Sequence, residues 1–158
     1  MDLTLPGIGG LEAMRRIVQR DPKAKVLVFS MHEDTLFVEQ ALAAGARGYV
    51  TKSSAPHVLV GAVKQIAAGG QPLAGDIAQR LTFARGRGGD SPLKDLSTRE
   101  FEIFCLLAEG VPSGDIAKRL SLSQKTVANY GTQLKSKLDV DTVAELTRLA
   151  IRHGVMDA

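Results

Sequence analysis

Residues 113–138 read SGDIAKRLSLSQKTVANYGTQLKSKL. Two helical patterns flank a short break in this stretch. In the first, Ile116, Ala117 and Leu120 share a face, with Ser113 as the expected cap. In the second, Ser123 is the expected cap, and Val127, Tyr130, Leu134 and Leu138 recur at helical spacing on the side to be buried. Only Ser121 and Leu122 separate the two patterns. Two short helices joined by so tight a turn, with small Ala117 near the crossing, predict a helix-turn-helix. The free face of the second helix offers Gln124, Lys125, Ala128, Asn129, Thr132, Gln133, Lys135 and Ser136. These residue types bond base edges or phosphates. Asn129 can make a bidentate contact to adenine, and Thr132 or Ala128 can meet a thymine methyl. Tyr130 joins an apolar ring to a hydroxyl able to reach phosphate. Gly131 is costly in a helix interior, by ~1 kcal/mol relative to Ala. Either it lets the helix approach DNA or a neighbour closely, or it is tolerated.

Charge points the same way. The formal net charge is only +3, but it is unevenly spread. Lys118, Arg119, Lys125, Lys135 and Lys137 face a single acid, Asp115, within this stretch, while Glu100, Glu102, Glu109, Asp139, Asp141 and Glu145 flank it. Local positive charge suits a phosphate-facing surface, although charge alone describes a solvated helix face equally well.

More widely, residues 96–158 are helical by pattern. Ser97 and Glu100 form a capping box ahead of a helix carrying Phe101, Phe104, Cys105 and Ala108 on one face and ending at Gly110. Thr142 and Glu145 form another, ahead of a helix with Val143, Leu146, Leu149 and Ala150 that ends at Gly154. In order, Leu96-Ser-Thr-Arg-Glu100, Gly114-Asp-Ile-Ala-Lys-Arg-Leu120, Ser123-Gln-Lys-Thr-Val-Ala-Asn-Tyr130 and Leu134-Lys-Ser-Lys-Leu138 resemble the LuxR-type helix-turn-helix over about sixty residues. By that resemblance Ala128, Asn129 and Thr132 read bases. Thr126, Tyr130 and Lys135 meet the DNA backbone, with Lys125 adding phosphate affinity. The helix after Asp141 joins two copies. A homodimer on double-stranded DNA is therefore expected.

The N-terminal part alternates element types. Lys25–Ser30 and Arg47–Thr51 are short apolar runs that suit strands buried on both faces of a parallel sheet. Leu11–Arg20, Glu33–Ala44 (with Gly45 closing it) and Pro56–Ala68 read as helices, giving a doubly wound α/β pattern. Asp2-Leu-Thr-Leu-Pro-Gly7 with Gly10, then Ser30, Tyr49 and Lys52, resemble the receiver domain of response regulators. A receiver followed by a LuxR-type domain is the NarL/FixJ class. The resemblance implies Asp2 as phosphoacceptor, Ser30 as switch hydroxyl, Tyr49 as rotating aromatic and Lys52 as charge partner. Added phosphate charge would draw in the lysine and the hydroxyl and repack one face of the domain.

The expected fold is thus an incomplete parallel sheet, the remnant of a flavodoxin-like receiver, over 1–69, a linker over 70–95 in which Leu73–Ala84 can form a short helix, and an all-α four-helix LuxR-type domain over 96–158. In the receiver family two strands, two helices and an acidic pair that holds Mg²⁺ precede the acceptor. Their absence ahead of Asp2 leads us to expect an N-terminally truncated receiver. Such a chain is a fragment of a longer reading frame, a form cut there deliberately, or a true short form. The same absence predicts an association-prone strand edge at Val26–Phe29 and DNA binding without phosphate control. No cofactor is expected, apart from Mg²⁺ where the receiver is complete. A sensor histidine kinase is the expected partner of the full-length form.

Other signals are weaker. Arg80, Arg85 and Arg87 in the linker either touch phosphate or are solvated. Pro6-Gly-Ile-Gly-Gly10 lacks the preceding strand a phosphate-binding glycine loop needs. His32, His57 and His153 lack metal-ligand spacing, and no nucleophile–base pair appears, so no enzyme is expected. Cys105 is a lone core thiol. With no signal peptide and no run near the ~18 apolar residues of a membrane span, a cytoplasmic protein is expected. The rival readings are a sigma-factor-like promoter-binding module and an inhibitor that dimerises with full-length relatives without binding DNA.

Overall fold

Leu27–Ser30 (β1) and Gly48–Thr51 (β2) pair in parallel, in a register that runs from Leu27 opposite Gly48 to Ser30 opposite Thr51. Val28 and Tyr49 are fully buried neighbours in this sheet. The computed structural model describes residues 1–3, 8–73, 75–86 and 91–156. Residues 4–7 of the receiver-like motif and of the glycine-rich stretch, Arg87, Gly88 and Gly89 lie outside that set, as does the side chain of Arg85. The chain divides into two compact units, Met1–Thr4 with Gly10–Asp90, and Leu5–Gly9 with Ser91–Ala158.

In the first unit the order is α1 (Gly10–Arg20), β1, α2 (Thr35–Ala43), β2, α3 (Pro56–Ala67) and α4 (Gly75–Gly86). Helix α2 closes through Gly45, whose φ of +104° is the left-handed conformation expected of a C′ residue. The sheet extends a little beyond its two strands. Leu73 bridges Tyr49 in parallel, and the Tyr49 amide donates to the Pro72 carbonyl at 3.0 Å. That approach requires Gly48, because a Cβ there would lie 2.6 Å from the Pro72 oxygen. On the β1 side, the Met1 ammonium donates to the Leu27 carbonyl and the Phe29 amide to the Met1 carbonyl, at 2.7 and 2.8 Å. The segment expected as a linker therefore contributes structure to this unit, including α4, whose Ile77 and Leu81 are buried.

The second unit opens with a 3₁₀ turn, Pro92–Asp95, followed by α5 (Thr98–Ala108), α6 (Ser113–Arg119), α7 (Gln124–Leu138) and α8 (Val143–Arg152). Its core contains Leu93, Phe101, Phe104, Ile116, Leu134 and Leu146, each 1% exposed or less. Both capping boxes form as read. Ser97 and Thr142 accept from the amides of Glu100 and Glu145, whose carboxylates return to the cap amides. The fold is thus a receiver-like α/β unit with a two-stranded parallel sheet, followed by a four-helix unit.

Candidate nucleic-acid interface and switch residues

The Ser123 hydroxyl caps α7 by accepting from the Thr126 amide at 3.0 Å. Val127, Leu134 and Leu138 then turn inward and are buried. The opposite side of this 15-residue helix is open. Lys125, Ala128, Asn129 and Thr132 are exposed, and Thr126, Tyr130 and Lys135 are half-buried along its margin. Some of these groups already have local partners. Thr126 Oγ1 and Ser123 Oγ are 2.8 Å apart, Thr132 Oγ1 donates to the Ala128 carbonyl at 3.2 Å, and Lys135 Nζ donates to the Asp141 carbonyl at 3.3 Å. Such exposed, local bonds exchange readily for bonds to a ligand. The seven residues singled out in the sequence thus share one accessible surface of one helix.

Two details of the motif differ from the sequence reading. Ser113 lies inside α6, and the cap is Pro112, whose carbonyl accepts from the amides of Asp115 and Ile116. A proline suits that place because its missing N–H is not needed there. The turn is also longer, since Leu120 and Ser123 act as caps and leave four residues between α6 and α7. Ser121 takes a positive φ of 53° to make it. The positive charge is reduced as well. Lys137 is paired to Glu100 at 3.0 Å, and Lys118 stands 3.6 Å from Asp115.

In the other unit, Ser30 and Lys52 come from the ends of the two strands. Lys52 Nζ lies 2.5 Å from Asp2 Oδ2. Ser30 is fully buried, and its Oγ accepts from the His32 amide at 3.3 Å. Tyr49 is fully buried too, and its hydroxyl donates to the His32 carbonyl at 2.8 Å. Burial pushes the Tyr49 phenol up to about 12. The serine and the tyrosine thus meet on the backbone of one residue. His32, which the sequence offered only as a poor metal ligand, is that residue, and its ring stacks on Phe37 with centroids 3.9 Å apart. A second buried hydroxyl, Thr51 Oγ1, bonds Ser53 and Ser54 beside Lys52. For Mg²⁺ the described residues are a poor fit. Among them no three His, Cys, Asp or Glu side chains converge, and the Asp2 carboxylate is held by Lys52. Mg²⁺ keeps several of its waters and binds through one or two carboxylates, and the one from Asp2 is already paired to Lys52.

Comparison with known proteins decides the family. Residues 1–64 match the model of the response regulator receiver domain, and residues 94–150 match that of the bacterial regulatory proteins of the luxR family. The transcriptional activator protein ExaE of Pseudomonas putida is 48% identical over 160 residues, an alignment covering 99% of this chain and 74% of that protein. This chain is a two-component response regulator with a LuxR-type DNA-binding domain. The response regulator UvrY of Escherichia coli K12 is 37% identical, with 100% of this regulator and 73% of that one aligned. Among solved structures, RcsB of Salmonella enterica serovar Typhimurium, bound to promoter P1flhDC in the presence of phosphomimetic BeF₃⁻, matches with a TM-score of 0.66. It is 26% identical, and the match covers 94% of this chain and 71% of that one. A LuxR-family response regulator from Aurantimonas matches at 51% identity and a TM-score of 0.53, over 54% of this chain and 61% of that one.

The regulator's last helix presents a further surface. Leu146 and Ala150 of α8 are buried, while Val143 and Ile151, two turns apart, are 46% and 37% exposed. Of the apolar residues that the sequence places on this helix, Val143 points outward while Leu146 and Ala150 are buried. No helix among the described residues is long and apolar enough to cross a membrane.

Proposed function

We propose that this regulator acts by binding, not as an enzyme. It lays α7 in the major groove of duplex DNA, as a dimer joined through α8. The observation that carries the reading is the face of α7, where Lys125, Ala128, Asn129 and Thr132 stand exposed on a helix anchored by Val127, Leu134 and Leu138. Asn129 reads an adenine edge, Thr132 and Ala128 meet a thymine methyl, and Lys125, Thr126, Tyr130 and Lys135 hold phosphates. An RcsB structure bound to promoter DNA, and another of two RcsB dimers bound to two parallel DNAs, support DNA binding and dimers for a related chain. In this reading DNA binding does not depend on a phosphoryl group. In the same reading Asp2 stands at the family's phosphoacceptor position, and phosphorylation by a sensor histidine kinase is expected only where the receiver supplies an acidic pair for Mg²⁺. Lys52 is its charge partner, Ser30 the hydroxyl that answers it, and Tyr49 the aromatic that follows; the Asp2–Lys52 pair supports this. As a cytosolic DNA-binding protein the regulator keeps Cys105 reduced.

The test separates positioning from reading. A duplex enriched by the wild type from a random pool is compared with a scrambled duplex. Neutralising Lys125 and Lys135 weakens binding to both and lowers the salt slope by about one for each phosphate no longer held. Asn129→Ala changes which duplex is preferred, at about 1–3 kcal/mol for the bidentate pair it removes. Equal weakening on both duplexes for Asn129→Ala would remove it as a reader.

A further inference from the structure

Two neighbouring residues in the first turn of α5 bond on either flank of α7, Arg99 to the residue that opens the turn before it and Glu100 to its last turn. Arg99 reaches the entry. Its Nη2 donates to the Leu120 carbonyl at 2.8 Å, and Leu120 is the residue that closes α6 just before the turn. Its Nη1 is held by Glu102 at 2.9 Å and also donates to the Ile8 carbonyl at 2.7 Å. The Arg99 and Glu102 side chains are only 13% and 10% exposed, so the fork is held in place rather than free in water. Glu100 reaches the exit. Its Oε2 accepts from Lys137 Nζ at 3.0 Å, and the same ammonium donates to the Asp95 carbonyl at 2.8 Å. Glu100 is itself fixed by its capping box, with Oε2 2.6 Å from the Ser97 amide. Hydrogen bonding to Ser97 and Lys137 holds its carboxyl below the usual range against the opposing effect of burial.

We propose that Arg99 and Glu100 are positioning residues that set the pitch of the reading helix, Arg99 at its entry and Glu100, through Lys137, at its exit. The inference rests on α7 being the helix that reads DNA. The physical reason is directionality. Apolar packing at Val127 and Leu134 holds α7 against the core, but such packing is non-directional and permits a small rotation or slide. Directional hydrogen bonds on both flanks of α7, one at Leu120 ahead of the turn and one at Lys137 in its last turn, resist it. Bidentate reading of a base edge tolerates little angular error, whereas flexible lysines on phosphates tolerate much. Loosening either end therefore costs discrimination before it costs affinity. Lys137, which the sequence counts with the phosphate-facing cations, is in this assignment a structural tie.

The experiment uses the full chain, the duplex enriched by the wild type, and a scrambled duplex. Glu100→Gln keeps the capping box, since Gln serves at that position, while it removes the ion pair. Arg99→Ala removes the entry tie, and Arg99→Lys restores one of its bonds. Arg99→Ala and Glu100→Gln are expected to lower the ratio of preferred to scrambled affinity by about tenfold, with the salt slope unchanged and Arg99→Lys intermediate. Thr147→Val, which removes the bond from Thr147 to the Ala108 carbonyl away from α7, serves as a control of comparable destabilisation and keeps the ratio. Variants that lose no more discrimination than Thr147→Val overturn the proposal. So does Lys137→Met if it lowers the salt slope by about one, because Lys137 would then be bound to a phosphate. A DNA-free measurement keeps the two readings apart. Arg99→Ala is expected to accelerate amide exchange at Leu122, whose N–H bonds the Ala117 carbonyl across the turn, well beyond Thr147→Val. A wild type with no sequence preference would remove the DNA reading; unchanged exchange would remove the positioning role whatever the DNA result.

Discussion

At the scale of single residues, the receiver-like unit moves two ionisable groups well away from their ordinary titration ranges. Tyr49 is fully buried with its hydroxyl on the His32 carbonyl, and burial pushes the phenol up to about 12. The neutral phenol is thus favoured by the fold. Its contribution is fully present below the ordinary value of about 10 and is lost as pH rises through about 12. Titration followed by tyrosinate absorbance should show one of the two tyrosines ionising near 12, and Tyr49→Phe should abolish that step. The same variant leaves the His32 carbonyl without its donor and costs about 1 kcal/mol, read by urea unfolding. Glu12 is the opposite case. It is 4% exposed, and hydrogen bonds from Arg15 and Arg16 outweigh burial and hold it at about 2. Its contribution is present above the ordinary carboxylate range and is lost as pH falls through about 2. Glu12→Gln should therefore flatten the acid limb of the stability profile and cost roughly 1–2 kcal/mol near neutrality, the arginines being half in water. A profile unchanged below pH 4 would show that the ion pairs contribute nothing.

At the scale of elements, α7 shows how local chemistry and packing divide the work. Gly131 sits mid-helix, yet a Cβ there would meet only Leu107 Cδ1, at an ordinary 3.8 Å. Neither a close approach within the unit nor a special backbone angle requires the glycine. Gly131→Ala should then stabilise the unit by about 0.5–1 kcal/mol in thermal unfolding. Specific DNA binding should survive unless the duplex itself comes within reach of the added methyl. Ser97→Ala should cost about 1 kcal/mol in the same measurement, because it opens the capping box of α5. Both capping boxes, Gly45 after α2 and the inward face of α7 were legible in the sequence, because each depends on residues within a turn or two of one another. Other features were not legible. Pro112 displaced Ser113 as cap because backbone carbonyls can satisfy a helix start without a side chain. Val143 pointed outward because α8 buries only its Leu146–Ala150 side. The roles of His32 and Lys137 depend on partners 17 and 37 residues away, Tyr49 and Glu100, a pairing that periodicity does not encode. The α/β pattern around β1 and β2 was legible from apolar runs alone, whereas the bridge of Leu73 to Tyr49 was hidden in a segment whose glycines and prolines read as linker.

At the scale of the whole molecule, the question is how a single reading helix becomes a specific regulator. On the proposed reading one α7 makes a handful of base contacts, and each is worth about 1–3 kcal/mol of discrimination. Two copies placed about one helical turn apart double that count, provided their spacing is fixed by protein. In α8 the exposed Val143 and Ile151 form an apolar strip on a helix whose other side is committed to the core through Leu146 and Ala150. A two-fold contact through that strip buries the same residues from both copies, as an isologous interface must. Replacing Val143 and Ile151 with aspartate places four like charges at such a contact. Each subunit's core is untouched, since neither side chain is part of it. The variant should keep its melting temperature measured as a dilute monomer, sediment as a monomer at concentrations where the wild type dimerises, and retain binding to an isolated half-site. On a two-half-site duplex it should lose cooperativity and at least tenfold in affinity, since a second site held by the same assembly acts at high effective concentration. If the variant still dimerises, another surface joins the copies. If it is monomeric yet binds the full site as tightly as wild type, the DNA itself brings the two α7 helices together and α8 has no part in reading.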